Sequence, residues 1–232
     1  MIKKLKNIKL SSWILIIGAF YFTGSIIQNI LAVKMFGTST LNICDGGVII
    51  SWLVFACMDI ITEVLGKKKA IRYFTIASCL NLLFTLLFLL VIAIPGNDAY
   101  MSEVFATMLG TNWRIVIASI SAFWIGNYIN TFIMYIMRVK SKNENNKVSF
   151  VIRAILSTIF GQIVDNSLFY ILAFAPIGIP GTYELSWLSI VQNVSITTGI
   201  ETISEAIVSP LTALFVGYLK KLKDAEHIDV VD

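Results

Sequence analysis

The stretch Asp59-Ile-Ile-Thr-Glu63-Val-Leu-Gly66-Lys67-Lys68-Lys69-Ala-Ile-Arg72 decides how the chain reads. Two carboxylates close an apolar segment that begins near Gly47, and a glycine and four cations follow at once. Four residues apart, Asp59 and Glu63 share one face of a helix, one turn from each other. Lys67, Lys68, Lys69 and Arg72 suit a cytoplasmic anchor at the end of a membrane span. An acid inside such a span is costly and marks a pathway or a binding site by default. The plainer alternative for Glu63, close to the boundary, is a local ion pair with Lys67 or Arg72.

Composition agrees with the membrane reading. The 232 residues are 57% hydrophobic and only 14% charged, against about 25% charged in soluble domains, and mean hydropathy is +0.81. Spans of about 20 residues leave room for six. The expected fold class is an all-α integral membrane protein, a single transmembrane domain with spans near 13–33, 48–65, 70–94, 113–137, 148–174 and 185–219 and a charged tail at 220–232. The first span is too long for a secretory signal core. Tyr100–Thr111 reads as an interfacial helix with Val104, Phe105, Met108 and Leu109 toward lipid. Pro176–Gly181 forms a turn, and Pro210 predicts a kink in the sixth span.

Sixteen of the 18 Lys and Arg fall in the N-terminus, 67–72, 138–153 and 220–223, leaving Lys34 and Arg114 on the other side. With six spans this places both termini in the cytoplasm. The same distribution accounts for the net charge of +4 without nucleic acid. Cys44, Cys57 and Cys79 have no metal-ligand spacing, and the one histidine, His227, lies in the tail. No metal, cofactor or catalytic residue is expected. Neither H-E-x-x-H, G-x-S-x-G nor a phosphate-binding G-x-x-x-x-G-K-[ST] occurs, so ATP hydrolysis would need a separate energising module; a homodimer is equally compatible.

Asp59, Asn127, Gln162, Asp165 and Glu201 all fall near the middle of their spans, and Gln28 and Asn29 interrupt the first. Gln162, Asp165 and Asn166 share a face, as do Glu201 and Glu205. Lone amides in spans often tie helices together, but several carboxylates at one depth, without intramembrane cations, need protons, water or a ligand. The sequence thus points to a polar site between spans one, two, four, five and six, with Asp59, Asp165 and Glu201 as ligand contacts. Gln28, Asn29, Asn127, Gln162 and Asn166 would complete the hydrogen bonding, while Glu63 and Glu205 orient or couple. Span three, apolar apart from Asn81, is expected at the periphery.

These residues resemble the queuosine-precursor transporter family, also called the vitamin-uptake-transporter group. The resemblance rests on Asn29-Ile-Leu-Ala32, Asp59-x-x-x-Glu63-Val-x-Gly66 with its basic flank, Gly161-Gln162 with Asp165-Asn-Ser-Leu-Phe169, and Glu205 with Pro210-Leu and Lys220-Lys221. It implies a six-span inner-membrane importer of 7-deazapurines such as preQ1, queuine or preQ0 for tRNA modification. Glu201 departs from the family pattern, which has lysine there; the exchange favours an amine-bearing ligand. A carboxylate accepts paired N–H donors of a guanine-like edge, and amides serve its other atoms. Trp52, Phe123, Trp124, Tyr128, Phe169 and Tyr170 are candidates to stack on its faces. The partners expected are therefore a nucleobase-like small molecule and the lipid bilayer. A proton-coupled carrier, or a substrate-binding subunit, for another small vitamin-like solute is the alternative.

Overall fold

The computed structural model describes residues 9–38, 41–140, 147–179 and 182–225. Lys3, Lys4, Lys6, most of the 138–147 basic loop, Pro180-Gly181, His227 and the side chains of Asn127 and Asn130 lie outside the described residues. The described chain forms α1 (Leu10–Leu31), β1 (Met35–Gly37), β2 (Asn42–Asp45), α2 (Val48–Leu65), α3 (Lys67–Ala93), α4 (Ala99–Leu109), α5 (Asn112–Lys140), α6 (Lys147–Phe174) and α7 (Trp187–Ala225). Five of its segments are helical, long and apolar enough to cross a membrane: Leu10–Leu31, Val48–Leu65, Lys68–Ala93, Ala99–Gly126 and Trp187–Lys223; a shorter apolar helix covers Ile159–Phe174. Helices satisfy their own backbone groups, as a lipid environment demands.

Because the spans alternate in direction, the start of α1, the end of α2, the start of α3 and the end of α7 meet at one end of the bundle. There Leu10, Ile17, Cys57, Ile61, Ala70 and Leu219 belong to one buried apolar cluster. A second cluster at the opposite end joins Ala32, Ile115, Ala118, Tyr170, Phe174 and Leu185. Polar side chains lie between the two.

Gly66 makes the first of these ends. It is the only residue between α2 and α3, with φ 85° and ψ 163°, a conformation restricted almost entirely to glycine. Its neighbours Glu63 and Val64 receive cations from the far end of the chain: Lys220 Nζ meets Glu63 Oε2 at 2.7 Å and Lys223 Nζ meets the Val64 carbonyl at 3.2 Å. The partner of Glu63 is thus Lys220, remote in sequence. Both side chains are exposed, so the pair adds little stability.

At the other end the expected loop after span one contains a two-stranded antiparallel hairpin, with Met35 opposite Asp45 and Phe36 opposite Cys44. Here Arg114 is buried and structural. Its guanidinium donates to the Leu172 and Ala175 carbonyls, both at 2.8 Å, and to Thr182 at 3.3 Å, and lies 3.8 Å from Glu184. It thereby caps the carbonyl end of α6, where the helix dipole favours a cation.

One further expectation is modified. In α4, capped by Asp98 accepting from Met101 N, Tyr100, Val104, Phe105 and Met108 are exposed but Leu109 is buried. In α7 the helix continues through Pro210 over 39 residues.

Gly66→Ala is expected to cost about 1–3 kcal/mol through backbone strain. Gly199→Ala, in α7 with open space where the Cβ would stand, is expected to be neutral or stabilising by up to about 1 kcal/mol. Thermal unfolding of the detergent-solubilised protein checks both; equal midpoints for the two variants would contradict this role for Gly66.

Candidate functional site

Between the two apolar clusters lies a cavity of about 90 Å³, against the ~10–15 Å³ that one water requires. Its polar lining comes from Tyr21, Ser25, Gln28 and Asn29 of α1, Ser78 and Asn81 of α3, Ser119 of α5, and Asp165 and Asn166 of α6, with Asp45 from the hairpin. Its apolar lining includes Phe55, Phe74, Phe123 and Phe169. Phe74 stacks on Phe123, centroids 4.1 Å apart, and takes Trp124 edge-on. The cavity therefore offers aromatic walls together with amides, hydroxyls and carboxyls, the composition suited to a small planar polar molecule.

Helix α3 is part of this site. Asn29 Nδ2 donates to Asn81 Oδ1 at 2.8 Å, and Asn81 Nδ2 donates to the Ala77 carbonyl at 2.9 Å and Ser25 Oγ at 3.2 Å. Both asparagines are buried. The expected peripheral helix does present leucines outward, among them Leu82, Leu86 and Leu90. Its other face carries the amide that holds Asn29.

On the far side of the cavity α6 is tied to α7. Asn166 Nδ2 donates to Glu201 Oε2 at 2.9 Å and to Thr198 Oγ1 at 3.1 Å. One turn along, Gln162 Nε2 donates to Glu205 Oε2 at 2.8 Å, and Gln162 Oε1 lies 2.8 Å from Thr202 Oγ1, whose single proton it shares with the Thr198 carbonyl at 2.7 Å. The i, i+4 spacing of Gln162 and Asn166 matches that of Glu201 and Glu205, which makes two parallel amide–carboxyl rungs. Across α6, Gly126 of α5 admits Asp165: a Cβ at Gly126 would stand 2.8 Å from the Asp165 Cβ.

Asp45 seats the hairpin. Asp45 Oδ1 accepts from Gly47 N at 2.7 Å, and Asp45 Oδ2 accepts from the Tyr170 hydroxyl at 2.6 Å. Tyr170 has one hydroxyl proton. With that proton given to Asp45, Tyr170 accepts from Asp45 N at 3.2 Å and from Thr197 Oγ1 at 2.8 Å. Burial pushes the Asp45 carboxyl up from its usual range, opposed by the hydrogen bonds from Tyr170 and Gly47. Gly46 and Gly47 let the hairpin lie on α1; a Cβ at Gly46 would stand 2.5 Å from the Leu31 carbonyl and one at Gly47 2.8 Å from that of Gln28. Asn42 Nδ2 adds a bond to Ser189 Oγ at 2.8 Å.

The residues anticipated from sequence divide between locations. Gln28, Asn29, Asp165 and Asn166 border the cavity, and Glu201 stands behind Asn166. Asp59, Glu201 and Glu205 border a smaller groove between α2 and α7, which Trp52 also lines. Gln162 joins that groove through Glu205, and Glu63 lies at the exposed rim with Lys220. The side chain of Asn127 is outside the described residues. Of the aromatic candidates, Phe123 and Phe169 line the cavity, Tyr128 is exposed against Phe132, and Tyr170 is committed to Asp45. Sequence reasoning missed Asn81 and Asp45 as cavity residues. The signals were a single amide in an apolar span and an acid beside Gly46-Gly47.

Tyr170→Phe removes the hydroxyl that Asp45 and Thr197 share, at an expected cost of about 1–3 kcal/mol. In a protein carrying Cys57→Ala and Cys79→Ala, buried Cys44 of the hairpin should then react faster with a permeant maleimide. An unchanged rate would show that Tyr170 does not hold the hairpin down.

No curated protein and no solved structure matches the chain. A family profile described as "Putative vitamin uptake transporter" matches residues 45–215, most of the chain. That match covers α2 through α6 and most of α7, including the hairpin acid Asp45, the α6–α7 rungs and the α3 amide. With several apolar helices and this match, the chain is a multi-pass membrane protein and belongs to the vitamin-uptake-transporter family.

Proposed function

We propose that this chain imports a queuosine precursor, a 7-deazapurine, across the inner membrane to supply tRNA modification, without chemical change to the solute. The observation that carries this reading is the mid-bundle cavity, where Phe74, Phe123 and Phe169 stand with Gln28, Asn29, Asp165 and Asn166. A flat bicycle with adjacent N–H donors and a carbonyl matches those walls: aromatic faces stack on it, carboxylates accept N–H pairs, and an amide serves the carbonyl. The apolar clusters above and below suit a carrier that exposes its site to one side at a time. Both termini face the cytoplasm in this reading, following the distribution of basic residues.

Glu201, held by Asn166 beside the cavity, favours precursors bearing an amine. PreQ1 and queuine are accordingly preferred over the nitrile preQ0. The rival within the same family is a carrier, or the substrate-binding subunit of an energised complex, for another small vitamin-like solute.

The test uses cells unable to make the precursor, expressing this chain and fed preQ1, queuine or preQ0 at low concentration. Queuosine in tRNA should be restored, best by the amine-bearing compounds, and Asp165→Asn should reduce it at least about tenfold, the effect of one lost charged contact. Absence of restoration by a well-expressed protein would reject 7-deazapurines as the solute.

A further inference from the structure

The hydrogen bonds around the cavity determine which end of each amide its occupant meets. A backbone carbonyl can only accept. The side-chain atom of Asn81 that lies 2.9 Å from the Ala77 carbonyl is therefore its nitrogen, and the second proton of that nitrogen goes to Ser25 Oγ. Asn81 Oδ1 must then point the other way, toward α1. The Asn29 atom 2.8 Å from it is a donor and hence also nitrogen. Asn29 Oδ1 has no partner among the described residues, although Asn29 is only 6% exposed and borders the cavity.

Asn166 places its nitrogen on Glu201 Oε2 and Thr198 Oγ1, leaving its oxygen. Ser25 and Ser78 donate their hydroxyl protons to the Phe22 and Phe74 carbonyls, so they too meet the cavity as acceptors. Asp165 adds a carboxyl. The lining is rich in oxygen acceptors, with Gln28, Tyr21 and Ser119 as the side chains still able to donate.

We propose that Asn81 is a positioning residue that locks the Asn29 amide with its oxygen toward the cavity, so that the transporter selects heterocycles carrying an amine beside a ring N–H over isosteres lacking that amine. The inference rests on the transport reading above and deepens it. It does not require the solute to be a 7-deazapurine. Without Asn81, Asn29 is free to turn its amide over and present two donors, which a carbonyl or bare ring nitrogen satisfies as well as an amine meets the oxygen. Selectivity between the two kinds of ligand then collapses while room for either remains. A buried site built to accept an N–H discriminates strongly against the analogue without it, because the site's oxygen is left unpaired.

The experiment is competition binding and proteoliposome uptake with the purified full chain, using two probe pairs. One pair is 7-deazaguanine and 7-deazahypoxanthine; the other is 2-amino-4-hydroxypteridine and 4-hydroxypteridine. Within each pair the ring is the same and the exocyclic amine is present or absent. Asn81→Val and Asn81→Thr have the same shape, so any packing defect is common to both. The threonine hydroxyl can donate to the Ala77 carbonyl, as Ser78 and Thr85 do one turn back along this helix, and accept from Asn29.

Wild type should favour the amine-bearing member of at least one pair by about tenfold or more. Asn81→Val should bring that ratio to within about twofold of unity, chiefly by raising KM for the amine-bearing compound with maximal rate and the deaminated compound's KM little changed. Asn81→Thr should recover a substantial part of the ratio. Selectivity only in the pteridine pair would reject the 7-deazapurine reading and leave this inference standing. The inference is overturned if wild type binds none of the four or does not discriminate, if Asn81→Val keeps the wild-type ratio, or if both variants lose affinity for all four compounds alike.

Discussion

A polar side chain surrounded by helices in a hydrocarbon setting must find a partner, and that requirement organises the middle of this molecule. Its buried amides do not stand alone. Asn29 is held by Asn81, Asn166 by Glu201 and Thr198, and Gln162 by Glu205 and Thr202. Each bond joins two helices, so the groups that furnish a polar cavity also set how the helices face each other. In lipid, where the surroundings are as apolar as leucine, no hydrophobic force draws helices together, so these bonds add to van der Waals packing in setting the registry. The two apolar clusters close the ends; the amide and carboxyl bonds fix the rotation of the helices between them.

The arrangement gives one set of residues two duties. An amide that spends its nitrogen on a neighbouring helix has its oxygen left for a ligand, and this is the state of both Asn29 and Asn166. The hairpin carries the same economy into the connection after α1. Asp45 holds Gly47 and Tyr170 while bordering the cavity, and Tyr170 in turn reaches Thr197 of α7. A solute that competes for any of these oxygens acts on contacts that connect α1, α3, α6, α7 and the hairpin. Differential contact of that kind is what a carrier needs if its ligand is to bias one conformation over another.

Much of this was legible in the residue order. Glycine between an apolar run ending Val64-Leu65 and a run of lysines marked the α2–α3 junction, because only glycine takes the φ of 85° found there. The i, i+4 spacing in 162–166 and 201–205 placed each set on a common helix face, and the two faces do meet. What spacing cannot convey is which helices are neighbours. Asp59 and Asp165 both read as mid-span acids yet border different spaces, and Glu63 found Lys220 across 157 residues instead of the adjacent cations. Asn81 looked incidental because one amide hardly changes the hydropathy of a leucine-rich helix. Its importance comes from the partner opposite it. Asp45 was hidden in an expected loop, since three or four residues of strand leave too short a pattern to read.

The central claim is that the solute sits in the mid-bundle cavity lined by α1, α2, α3, α5 and α6, not in the groove on the other face of α2, toward α7. Photo-crosslinking tests it most directly, with a diazirine-bearing preQ1 irradiated on the purified full chain and the adducts mapped by mass spectrometry. The account predicts adducts at Met58, Phe123 or Phe169, suppressed by excess unlabelled preQ1. Competed adducts at Trp52, Ser204 or Val208 would place the solute in the other groove and contradict it.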